Sequence, residues 1–132
     1  MTLAPDVAAM AKVAPREGPV TLDEIGLTPI HTRAPDPKAL VALVSRSHAT
    51  PETEALLARF AIASRTNAGS SLKFCAIARG AADIYPRIGP TMAWDTAAGH
   101  AVLAAAGGSV TTLDGKPLRY GNSMATLCNP NF

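Results

Sequence analysis

Three short clusters hold the residues able to do chemistry. Ser45-Arg46-Ser47-His48 follows an apolar run, and Ala68-Gly69-Ser70-Ser71-Leu72-Lys73 opens a helical stretch. Trp94-Asp95-Thr96-Ala97-Ala98-Gly99 opens another. Polar groups after a strand of an α/β sheet lie where such sheets meet their ligands, though a polar loop leading into a helix has the same look. A glycine and two hydroxyls at a helix start can offer backbone N–H groups to an anion, with Lys73 one turn on from Gly69. Helix capping accounts for the same residues. Asp95 is an N-cap on the simpler reading; a hard oxygen ligand for magnesium is the alternative. Trp94 is by default a core anchor, otherwise a wall of a site. Asp36-Pro37 lies in a proline-rich stretch and receives no catalytic role.

The elements that position these clusters alternate after residue 39. Leu40-Val41-Ala42-Leu43-Val44 is a continuous apolar run, the pattern of a strand covered on both faces. Thr50-Pro51-Glu52 reads as a helix start, with Leu56, Leu57 and Phe60 as its apolar side. Residues 61–65 suit a second strand. The next helix opens at Gly69, packs through Leu72, Cys75, Ala76 and Ala78, and ends at Gly80. Residues 82–85 suit a third strand, stopped by Pro86. The helix with the clearest signal spans 96–106 and ends at Gly107-Gly108. Residues 109–113 are β-branched and strand-like, Asp114-Gly115 is a turn, and 124–128 can close the sheet. This alternation predicts an α/β fold, a mixed sheet flanked by helices. Residues 15–39, dense in Pro and Gly, read as a connecting loop. Residues 1–14 suit either a helix or two short strands divided at Pro5-Asp6.

Composition narrows the function classes. The chain has 132 residues, enough for one domain with a real core. Hydrophobic residues make up 48 %, but 26 are alanine, which favours close packing of helices on a sheet. The net charge of +2 comes without a Lys/Arg run, so a nucleic-acid polymer is not an expected partner. Cys75 and Cys128 show no metal-ligand spacing and fit a reduced, cytoplasmic protein. No stretch is long enough to span a membrane, and no secretory signal is expected at the amino terminus.

In order along the chain, Gly69-Ser70-Ser71-Leu72-Lys73-Phe74-Cys75, Gly80-Ala81-Ala82-Asp83-Ile84-Tyr85-Pro86-Arg87, Trp94-Asp95-Thr96-Ala97-Ala98-Gly99-His100 and Ala106-Gly107-Gly108 resemble the carboxyl-terminal half of inositol monophosphatase-like enzymes. Ser45-Arg46-Ser47-His48 and Gly69 to Lys73 are similar to the 3'(2'),5'-bisphosphate nucleotidase branch. The resemblance runs from about Val41 to Phe132. It is looser before residue 40, where Leu3-Ala4-Pro5 and Ala9 to Val13 are similar to a β-hairpin of the family.

The resemblance implies half of an αβαβα sandwich and a magnesium-dependent phosphatase acting on 3'-phosphoadenosine 5'-phosphate. On the matching positions Asp95 becomes the metal ligand and catalytic residue. Ser45, His48, Gly69, Ser70, Lys73, Arg87 and Asp95 become the substrate contacts. The family's remaining metal ligands come from a Glu-Glu motif and an Asp-Pro-x-Asp-Gly-Thr motif, and neither occurs here. The sequence is therefore expected to be a fragment, an internally started product or one part of a split enzyme, inactive alone. It would be partnered by the missing amino-terminal half or by copies of itself. Residues 1–39 would form the hairpin and connecting segment, and 40–132 the α/β domain. An inositol or sugar monophosphatase and a non-catalytic nucleotide-binding remnant are the other readings.

Overall fold

A computed structural model describes residues 7–15, 18, 19, 21–45, 50–69, 71–121 and 127–132. The central element is β3 (Leu40–Val44), in which Ala42 and Leu43 are fully buried. Its apolar residues are consecutive because it is covered from more than one side. A β-α-β unit follows. Helix α1 (Pro51–Leu57) begins where the Thr50 hydroxyl accepts the Thr53 N–H at 3.3 Å, with proline in the first turn. The chain returns as β4 (Ile62–Asn67), parallel to β3. Only Ile62 of β4 is partly covered; the rest is exposed, as its polar residues require. Phe60 lies beyond the end of α1 and is exposed, so Leu57 carries the buried side of that helix.

Helices α2 (Leu72–Ala78) and α3 (Ala93–Ala105) pack on each other. Both end on a glycine with left-handed backbone, Gly80 and Gly107 at φ 72° and 89°. In each case the N–H groups of the glycine and of the residue after it close back on the last-turn carbonyls, satisfying acceptors that would otherwise be orphaned. The buried face of α2 is Lys73, Phe74 and Ala78, with Leu72 left largely exposed. Of the expected packing residues Ala78 is buried, while Phe74 and Lys73 take the place expected of Leu72, and the helix begins at Leu72, not Gly69. The helix expected over 96–106 starts at Ala93. Asp95 is not its N-cap: it sits in the first turn, and its carboxylate reaches back to accept the Met92 N–H at 3.1 Å. Trp94 then points outward and is 64 % exposed, so it is not a core anchor.

Two expected strands shrink to single bridges. In residues 82–85 only Ile84 pairs with β3, at Ala42. The Asp83 carboxylate takes the Val41 N–H at 2.7 Å, and Pro86 has no N–H to offer, so the ladder cannot extend. Residues 109–113 fold back across the Asp114-Gly115 turn, pairing Thr111 with Pro117. The closing stretch expected over 124–128 lies mostly outside the described residues. Its last residue, Cys128, pairs with Met92.

Towards the amino end, β1 (Ala9–Met10) pairs antiparallel with β2 (Thr28–Pro29). The hairpin partner expected at residues 3–5 lies outside the described residues. Residues 30–33 are tied to the domain: Ile30 is buried, Thr32 N–H donates to Ala106 O, and Arg33 forks onto Asp83 at 2.6 and 2.7 Å. The core gathers Ile30, Phe74, Ala78, Leu103, Val110 and Phe132.

The Arg33 guanidinium holds the Asp83 carboxyl below the usual carboxylate range; desolvation opposes this, and the Val41 N–H bond adds to it. A folded pKa below the unfolded one, about 3.9, gives stability that is present above that value and lost as pH falls through the folded one. We expect the urea midpoint of the wild-type chain to drop as pH is lowered from about 5. In Asp83→Asn that drop should be shallower. Parallel pH profiles for the two proteins would show that Asp83 does not carry the acid sensitivity.

Candidate phosphate-binding site

Four of the expected site residues meet in one cavity of about 180 Å³: Ser45, Lys73, Arg87 and Asp95. Each arrives from a different element. Ser45 stands at the carboxyl end of β3, and Lys73 is in the first turn of α2. Arg87 follows the Ile84 bridge, and Asp95 is in the first turn of α3. Gly69 precedes α2, is exposed and does not line this cavity; a Cβ added to it would meet open space. His48 and Ser70 lie outside the described residues.

Lys73 dominates the electrostatics. It is only 3 % exposed, and among the described residues no carboxylate forms an ion pair with it. Burial lowers its pKa, and the nearby Arg87 charge lowers it further. A buried ammonium beside a second cation is stabilised by an anion placed between them. Arg87 is itself anchored. Its Nη2 donates to Pro90 O at 2.9 Å, and its backbone pairs with Phe132 through N–H···O bonds of 2.5 and 3.0 Å. Asp95 spends one carboxylate oxygen on the Met92 N–H.

The sequence reading missed five lining residues: Ser71, Phe74, Tyr85, Thr91 and Thr96. Ser71 and Thr96 were within quoted clusters and show no signal beyond that of helix-start hydroxyls. Thr96 is fixed by Asn129, whose Nδ2 donates to Thr96 Oγ1 at 2.9 Å, a contact spanning 33 positions. Burial raises the Tyr85 phenol pKa, partly offset by Arg87 and by the Ser45 hydroxyl. A larger groove of about 360 Å³ shares Phe74 and Tyr85 with this cavity and adds Phe132 to its lining. Neither Lys73, Arg87 nor Asp95 lines it, so the smaller cavity is the better candidate for chemistry.

One carboxylate does not make a magnesium site. Among the described residues no three His, Cys, Asp or Glu side chains converge, so this chain's own described groups do not hold the metal unaided.

The profile of the Inositol monophosphatase family matches residues 17–131, and the chain belongs to that family. Its α/β architecture is shared with the crystal structure of CysQ from Bacteroides thetaiotaomicron, a bacterial member of the inositol monophosphatase family: TM-score 0.66, 39 % identity, 89 % of this chain and 45 % of that one. The 3'(2'),5'-bisphosphate nucleotidase CysQ of Shigella flexneri is 44 % identical over 116 residues, 88 % of this chain and 46 % of that protein. An uncharacterized protein in the pss 5' region of Rhizobium leguminosarum bv. phaseoli is 60 % identical over 80 residues, 58 % of this chain and 84 % of that protein. The similarity thus places the chain in the CysQ branch of the family. It spans about half the length of the CysQ proteins it matches.

Proposed function

We propose that this chain supplies the substrate-phosphate half of a 3'(2'),5'-bisphosphate nucleotidase, a phosphatase that removes the 3'-phosphate of 3'-phosphoadenosine 5'-phosphate. The observation that carries this reading is the buried Lys73 ammonium, without a carboxylate partner among the described residues, sharing a cavity with Arg87. Two cations in one cavity suit a doubly charged phosphate group. Lys73 and Arg87 offset the charge of the phosphate that is not cleaved. Ser45 contributes a hydroxyl to the same cavity, and Gly69, Ser70 and His48 remain candidate nucleotide contacts. Asp95 contributes one ligand to a magnesium centre whose other carboxylates come from polypeptide that the relatives have and this chain does not span. When bound, magnesium supplies electrophilic activation of the phosphate ester.

Residues 40–132 act as the α/β unit and residues 1–39 as its hairpin and connection. No helix among the described residues is long and apolar enough to cross a membrane. The free thiols of Cys75 and Cys128 support a reducing, cytoplasmic setting.

The direct test is complementation. The 132-residue chain alone, given 3'-phosphoadenosine 5'-phosphate and magnesium, is expected to release no measurable phosphate. Adding the amino-terminal half of a CysQ relative should restore turnover. Robust magnesium-dependent hydrolysis by the chain alone would overturn the account of the metal centre. A complemented enzyme that cleaves inositol monophosphate but not the bisphosphate would overturn the substrate.

A further inference from the structure

Tyr85 stands between the core and the cavity. The Lys73 ammonium lies 4.9 Å from the centroid of its ring, within the range of a cation–π contact. The ring cannot swing freely. Phe74 meets it at 5.6 Å with an interplanar angle of 83°, and Phe132 at 6.0 Å and 87°, both edge-on geometries favoured by the ring quadrupoles. Phe132 also pairs its backbone with that of Arg87, two residues beyond Tyr85. The two cations of the cavity are therefore referenced to the same aromatic block, Lys73 through the Tyr85 ring and Arg87 through the Phe132 backbone.

A tyrosine serving only as core would present its ring to carbon atoms. Here it receives a buried ammonium that has no carboxylate partner among the described residues. Without the ring, a long lysine side chain with several rotatable bonds would lose the aromatic face its head lies over. We propose that Tyr85 is a positioning residue, whose ring holds the Lys73 ammonium in the cavity ready for a phosphate oxygen. The contact stabilises the charged form of Lys73, which burial and Arg87 both disfavour. The functional side of the inference rests on the phosphate reading given above; the contact itself does not.

The test uses the full 132-residue chain with lysine labelled at the Cε carbon, inorganic phosphate as the probe, and two variants. The chain has lysines at only four positions, Lys12, Lys38, Lys73 and Lys116, so their signals are separable by NMR. In the native protein the Lys73 signal should lie apart from the other three, shifted by the Tyr85 ring current. Tyr85→Leu, which keeps the bulk and loses the ring, should return that signal to the others and weaken phosphate binding about five- to thirtyfold. Tyr85→Phe should keep both properties, since the ring remains. A native Lys73 signal lying among the others overturns the proposal with no variant needed. So does a Tyr85→Leu protein that binds phosphate as tightly as the wild type. A shifted Lys73 signal in a wild-type chain that binds no phosphate upholds the ring's hold on Lys73 and refutes instead the reading of the cavity.

Discussion

Asp95→Asn in the complemented enzyme should lower kcat about a hundredfold or more for every phosphate ester, since even the outer partners of metal ligands typically contribute 10- to 100-fold. Lys73→Ala should chiefly raise KM, and only for substrates with two phosphates. The contrast follows from what each group can touch. Lys73 is a cation in a cavity shared with Arg87; on the proposed function, its loss removes a charged hydrogen bond to the phosphate that is not cleaved. That is roughly 1.5–3 kcal/mol, or about ten- to 150-fold. Asp95→Asn is a discriminating change because an asparagine oxygen can still accept the Met92 N–H that Asp95 accepts at 3.1 Å. The helix start is thereby kept and the negative charge removed. Both variants should be assayed against 3'-phosphoadenosine 5'-phosphate and an inositol monophosphate at saturating magnesium. Near-normal turnover by Asp95→Asn would reduce that residue to a helix cap.

The second large effect concerns stability. Phe74 is 3 % exposed and touches both other rings of the aromatic block, so Phe74→Ala should cost about 3–5 kcal/mol. In a domain of this size that is a large share of the total stability. The complementary change is Gly99→Ala. A Cβ at Gly99 would stand 2.8 Å from Phe74 Cδ2 and 3.0 Å from its Cβ and Cγ. Alanine gains up to about 1 kcal/mol of helix propensity over glycine. Overpacking costs about 1–3 kcal/mol, and the clash should win because the struck ring is buried and wedged. Urea unfolding of Gly99→Ala, Phe74→Ala and the double variant checks both expectations. The double variant should be less destabilised than the sum of the singles, because alanine at position 74 removes the Cγ and Cδ2 atoms that the new methyl would strike. Strict additivity would show that the two sites do not share the contact.

Local signals made much of this legible. The apolar run 40–44, the Thr50-Pro51 helix start and the glycine after each later helix are dictated by nearest neighbours, and the structure has them in place. The strands expected at 82–85 and 109–113 were not readable, because long-range partners decide them. Val41 N–H goes to the Asp83 side chain, and Val110 finds Leu118 across a turn. Lys73, Arg87, Ser45 and Asp95 were singled out by their resemblance to a known pattern, and the fold brings all four together. Tyr85 was not singled out, since its importance lies in a ring facing an ammonium twelve positions away. No composition or spacing encodes that.

Trp94 gives the molecule an intrinsic optical probe. It is the only tryptophan in the chain, it is largely exposed, and it adjoins Asp95 at the start of α3. Its fluorescence therefore comes from one indole in a wet environment, next in sequence to a residue that lines the cavity. Polypeptide that covers the start of α3 together with Trp94 would dehydrate that indole or bring a quencher to it. The docking of the proposed second half at that helix start would accordingly be followed in real time, without a label and before any phosphate has been released.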